Sequence, residues 1–148
     1  MATLKVKIQE DIVLDNQDYG SKRVLEISSV DEVMKRIVTC AASQTTTIAV
    51  FNSNAYGAAG AVDIEDAKYI RVTNLDSSNA VELAVVGAAT LYQVKLAAGQ
   101  SHVLGSADDL MLSEADTSPS FGTMADLGSI QVNPGGNAVD VELFIASA

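Results

Sequence analysis

The chain has 148 residues, 48% of them hydrophobic, with 19 acidic and 9 basic side chains and a formal net charge of −10. A domain of this size buries about 68–70% of the surface its unfolded chain exposes, so it forms a core without staples. The one cysteine, Cys40, excludes an intrachain disulfide and a cysteine-based zinc site. The acid excess argues against nucleic acid, whose phosphates are bound through Lys and Arg clusters, and no run of about 18 apolar residues offers a membrane span.

Leu4, Val6 and Ile8 alternate with Lys5, Lys7 and Gln9, the period of two of a half-buried strand. Lysines on such a strand discourage aggregation if it lies at a sheet edge. This opening has no apolar h-region, so no secretory leader is expected and a cytoplasm is the expected place of synthesis. Ile12-Val13-Leu14 leads into a polar loop, Asp15 to Ser21, and Val24-Leu25-Glu26-Ile27 starts another strand. In Val30 to Cys40, Val33, Met34, Ile37 and Val38 could form a helical stripe. The β-branched residues of Arg36 to Cys40 favour a strand instead, from about Val33 to Thr39, with Cys40 a semi-buried small hydrophobe.

Thr45 to Phe51 has high strand propensity and ends in the turn cluster Asn52-Ser53-Asn54. Ala55 to Ala61 is rich in small residues but lacks the Gly-Lys-Ser/Thr ending of a phosphate loop, and reads as a flexible or partner-contacting loop. Asp63, Glu65 and Asp66 form an acidic turn without EF-hand spacing. Lys68 to Leu104 then reads as four short strands. Ile70 and Val72 alternate with Tyr69, Arg71 and Thr73; Asn74 to Asn79 supplies turn-forming side chains; Val81, Leu83 and Val85 resume the alternation. Gly87-Ala88-Ala89 marks a break before Leu91 to Leu96, and Ala97-Ala98-Gly99-Gln100 turns into Ser101 to Leu104.

Asp108 to Leu112 reads as a short strand entered through an acidic turn. Ser113 to Gly128 has no strand pattern and carries Pro119, Phe121 and Met124 among polar residues. Phe121 and Met124 either form an exposed interface element or tuck under the loop as a lid. Ile130-Gln131-Val132 and the turn Asn133 to Gly136 lead into a last strand, where Val139, Val141 and Leu143 alternate with Asp140, Glu142 and Phe144. Short strands at roughly ten-residue spacing predict a single all-β domain over residues 1–148. The expected architecture is an antiparallel β-sandwich, jelly-roll-like or a related barrel, with an extended N-terminal arm at about residues 1–10.

The sequence singles out no catalytic, cofactor-binding or metal-ligating residue, and no enzymatic activity is expected. His102 is the one histidine and follows Ser101 directly; in extended chain the two point to opposite faces and cannot act as base and nucleophile. The segment also lacks the second glycine of a nucleophile elbow. A single histidine without a cysteine pair makes no ordinary transition-metal site. An aromatic content of 5% without tryptophan leaves few platforms for carbohydrate.

Tyr69 to Leu83 (YIRVTNLDSSNAVEL), followed by a Leu/Val strand and by Ala97 to Leu104 (AAGQSHVL), resembles small β-sandwich virion proteins of tailed bacteriophages, chiefly head decoration (cement) proteins. The resemblance implies a virion structural protein on the capsid surface, assembled in the host cytoplasm, that bridges subunits of the major capsid protein and self-associates as a homotrimer or a dimer. It carries no catalytic residues across. Thr3, Leu4, Lys5, Val6 and Lys7 are then expected to contact capsid or swap between subunits, with Phe121 and Met124 as further contact candidates. Residues 1–40 hold six basic and seven acidic side chains, against three and twelve in the remainder, which fits docking through the N-terminal part. The alternatives are a neck, tail or fibre-associated adaptor of the same viruses, or a cupin-type barrel, whose several histidine ligands this chain cannot supply.

Overall fold

Residues that alternate in sequence share a face in space: Ile70 and Val72, Val81, Leu83 and Val85, and Val141, Leu143 and Ile145 are all buried in one core. The computed structural model describes residues 1–54, 60–88, 90–113 and 118–148. Its strands are β1 (Ala2–Glu10), β2 (Val13–Leu14), β3 (Gln17–Asp18), β4 (Ser21–Val30), β5 (Glu32–Cys40), β6 (Thr46–Asn52) and β7 (Ala61–Asp63). They continue with β8 (Ala67–Asn74), β9 (Val81–Gly87), β10 (Leu91–Leu96), β11 (Ser101–Leu104), β12 (Leu127–Asn133) and β13 (Val139–Ser147).

The fold is an all-β sandwich. A five-stranded sheet, β10-β9-β12-β6-β7, faces a four-stranded sheet, β11-β8-β13-β5, and the core fills the space between them. Pairing is antiparallel except for the short parallel pair β6–β7. Each sheet ends in edge strands, so the expected alternative of a closed barrel is not realised. Two polar contacts stitch the sheet margins together. On one side the Tyr92 hydroxyl of β10 lies 3.1 Å from Nε2 of His102 on β11, with the rings edge to face. On the other, the Arg36 guanidinium of β5 donates to the Ile48 carbonyl of β6. A charged residue aimed inward from an edge strand also blunts that edge against further pairing.

The segment Val30 to Cys40 resolves as strand over its whole length from Glu32, because β5 pairs with β13 from Cys40↔Val139 to Glu32↔Ser147. Cys40 is fully buried at its end rather than semi-buried. Asp108 to Leu112, in contrast, is no strand: a single bridge joins Met111 to Ala125, and Asp109 takes a positive φ of 49° that interrupts any extended run. The expected loop Asp15 to Ser21 contracts to a two-residue turn, Asp15 and Asn16 with φ of 51° and 63°, between β2 and β3. Two positive φ values are what a type I′ hairpin turn requires, and Asp and Asn tolerate them. Residues 55–59 of the expected Gly-rich loop, Ala89 of the break after β9, and residues 114–117 of the long loop lie outside the described residues.

Candidate interaction surface

The first 30 residues form a ribbon of their own. Among the described residues β1 pairs only with β4, from Lys5↔Glu26 to Glu10↔Ser21, and β2–β3 extends it to a tip held by the Tyr19 amide on the Ile12 carbonyl at 3.0 Å. At the junction Gly20 has no space for a side chain: a Cβ there would lie 2.7 Å from the Glu10 carbonyl. The pairing places Leu4, Val6 and Ile8 on the same face as Ile27, Leu25 and Arg23. Lys5 and Glu26 occupy the other face and form an exposed ion pair of 2.8 Å. Near the base, three steps along β4 oppose two along β1 between Ala2↔Val30 and Leu4↔Ile27, with Ser29 at φ 63°. That β-bulge lets Ile27 and Val30, an odd number of residues apart, face the same way.

The apolar face of the ribbon base lies on the outer face of the four-stranded sheet. Leu4, Val6 and Ile27 pack with Val30, Tyr69, Phe144 and Ala146. Tyr69 and Phe144 meet edge to face at 6.0 Å, and the Arg71 guanidinium sits over the Phe144 ring while bonding Glu142 at 2.5 Å. The Arg71 hydrogen bond, first, and the charges of Arg71 and Lys35 hold the Glu142 carboxyl below its ordinary value. Further along, the ribbon parts from the body. Val6, Ile8 and Leu25 then face Tyr69, Val103 and Leu104 across a groove of about 340 Å³, with Arg23 and Lys68 among its lining residues. At the tip Ile12, Val13, Leu14 and Tyr19 all face solvent, Val13 being 71% exposed.

Thr3 to Lys7 therefore divides by face: Leu4 and Val6 are half-buried against the body, while Thr3, Lys5 and Lys7 are exposed. Phe121 is 81% and Met124 42% exposed, so neither forms a lid on the sandwich. These two stand in the β11–β12 connection, away in sequence from the ribbon. The tip residues 12–14 and the groove were missed as contact candidates. Their signal was a run of three adjacent apolar residues beside a two-residue turn, too short to bury itself.

Elsewhere the polar chemistry is that of a surface. A cleft of about 600 Å³ between the β5 and β7 margins is lined by Asp31, Glu32, Asp63 and Asp66 above Met34 and Ile145. Asp108, Asp109 and Asp126 bring carboxylate oxygens within 4.8 Å of one another and are all exposed. Desolvation, then the Asp126 hydrogen bond and the neighbouring charges, pushes the Asp108 carboxyl up. The Asp63, Glu65 and Asp66 turn is a separate feature, in which Asp63 accepts from the Glu65 amide at 2.9 Å. Ser101 and His102 do point to opposite faces: the Ser101 hydroxyl meets Thr73 at 2.7 Å on the outer side, and His102 faces inward to Tyr92.

No protein-family model matches the sequence, and no curated protein matches it either. Among solved structures, a chain from a study entitled "Bacillus endospore appendages form a novel family of disulfide-linked pili" superposes with a TM-score of 0.43. It shares 11% identity over 78% of this chain and 85% of that one.

Proposed function

We propose that this protein is a non-enzymatic structural part of a phage virion that decorates the head and bridges major capsid protein subunits. The observation that carries the reading is the N-terminal ribbon: a 29-residue hairpin from Ala2 to Val30 that leaves Ile8, Ile12, Val13, Leu14, Tyr19, Val24 and Leu25 in solvent. Isolated two-stranded ribbons are marginal in water, and a ribbon of this length with apolar residues on view gains most from a partner surface. Its stem is basic, with Lys5, Lys7, Lys22 and Arg23 against Glu26, whereas the chain as a whole carries −10. Such a stem suits an acidic surface better than the sandwich body does.

A part that binds the assembled shell and not its separated subunits shifts assembly toward the shell by mass action. Repeated copies, as a homotrimer or a dimer, add through effective concentration. The test is the copy number of this chain in purified virions, by quantitative mass spectrometry against the major capsid protein. A ratio approaching that of the capsid protein supports decoration. A handful of copies moves the protein to the neck or tail, and absence from particles refutes a virion role.

A further inference from the structure

We infer that the ribbon tip of one copy seats in the groove between the ribbon stem and the body of a second copy. Both halves of this contact are on the same chain. The groove has apolar walls, Val6, Ile8 and Leu25 on the ribbon and Tyr69 and Val103 on the body, and among the described residues its charged lining is the cations Arg23 and Lys68. The tip, residues 10–21, presents Ile12, Val13 and Leu14 beside Glu10, Asp11, Asp15 and Asp18, and has no basic residue. Apolar side chains would enter an apolar slot while carboxylates meet cations at its rim, which gives both burial and orientation. At about 340 Å³ the groove is at the small end of the range for pockets that hold compact ligands, about 300–1,000 Å³, which suits a few aliphatic side chains.

The tip cannot serve its own groove. Ile8 lines the groove and pairs with Arg23; the ladder then continues outward through Glu10↔Ser21 and the Ile12–Tyr19 bond. Folding back would break that ladder, so the occupant comes from another molecule. The contact joins two different patches; between two chains it is exchanged reciprocally, and repeated in one direction it closes a ring or runs on as an open filament. It goes beyond the capsid reading and needs no shell, so the purified chain alone tests it.

The test is sedimentation velocity over a concentration series of the full chain, the tip variant Val13→Asp, the groove variant Val103→Asp and an equimolar mixture of the two. Wild type is expected to associate, more weakly as salt rises. Each variant alone is expected to lose affinity by about tenfold or more, because a charge placed in an apolar contact must be desolvated. The mixture is expected to regain association, since the groove variant keeps an intact tip and the tip variant an intact groove. Arg23→Glu, on the exposed ribbon, replaces Val103→Asp if circular dichroism shows that variant unfolded. A wild type that stays monomeric at every concentration overturns the proposal and assigns the groove to another partner. A mixture that fails to associate also overturns it, because an intact tip and an intact groove are then both present and do not meet; Val103→Asp alone keeping wild-type association overturns it too, by showing that tips meet tips.

Discussion

Asn74 is buried at the end of β8, where two turns converge, and every polar atom it owns is used. Its amide nitrogen donates to the carbonyls of Asn79, Leu96 and Ala97 at 2.8, 3.2 and 3.2 Å, and its side-chain oxygen accepts from the Asp76 amide at 3.0 Å. Asn74→Leu keeps the size and strands those partners; leaving buried polar groups unpaired costs about 1–3 kcal/mol each. A loss of about 3 kcal/mol in urea unfolding is therefore expected, and a change under about 0.5 kcal/mol would show that the turns hold without it. His102 makes a pH-dependent contribution. Burial beside Tyr92 lowers its pKa from 6.5, so the folded chain binds this proton less readily than the unfolded one. Stability from this source is fully present above pH 6.5 and is lost as the pH falls from there through the lowered value. The melting temperature of His102→Gln should lose that dependence, and an unchanged slope in the variant would assign it to other groups.

Among the elements, the ribbon and the sandwich differ in how they are held. β8 and β13 have paired neighbours on both sides, whereas among the described residues β1 and β4 have only each other and a small patch around Tyr69 and Phe144. Opening the ribbon exposes little core, so its amides should exchange with solvent by local opening, far below the global unfolding free energy. Hydrogen exchange of the wild type should show β1 and β4 much faster than β13. Leu4→Ala should quicken the ribbon amides by roughly tenfold, the effect of about 1.4 kcal/mol, without moving those of β13. Equal protection throughout would mean that ribbon and sandwich open as one unit. The bulge at Ser29 supports the same division: it redirects the chain so that Val30 joins the patch beneath the ribbon, and one residue, Asp31, separates β4 from edge strand β5.

For the molecule as a whole, the pairings that build the four-stranded sheet are distant in sequence. Thr39 on β5 bonds Asp140 on β13 across 101 residues, and Arg71 reaches Glu142 across 71. Loop closure on that scale must precede the contacts that reward it, so folding in roughly milliseconds to seconds is expected, as for other sandwiches. Stopped-flow refolding checks this, and completion within microseconds would contradict it. The acidic charge acts at the same scale. Glu142 and Asp76 are held below their ordinary values of 4.5 and 3.8, Asp76 by the amides of Asn79 and Ser78. Their stabilisation is present above those values and is lost as the pH falls through the depressed ones. Asp108, shifted upward, works in the opposite sense. Asp108→Asn is thus expected to raise the melting temperature at neutral pH, and a fall would show that the cluster is held together by something the carboxylate itself supplies.

The all-β class was legible because period-two alternation is a local property: Ile70, Val72, Val141 and Leu143 show their inward face in the sequence alone. So was the separation of Ser101 from His102, which follows from extended backbone without knowledge of neighbours. Which strands become neighbours was not legible. β1 stands apart with β4, and β5 joins β13, because long-range pairing depends on the fit of whole faces, and a one-residue slip reverses every face. The interaction surface divides the same way. Thr3 to Lys7 showed as a patterned strand, but Ile12 to Leu14 reads equally as core strand or exposed tip until Asp15 and Asn16 adopt their turn. The groove needed Val6 and Val103 to face each other across some hundred residues of chain, a distance over which sequence patterns are silent and only tertiary packing decides.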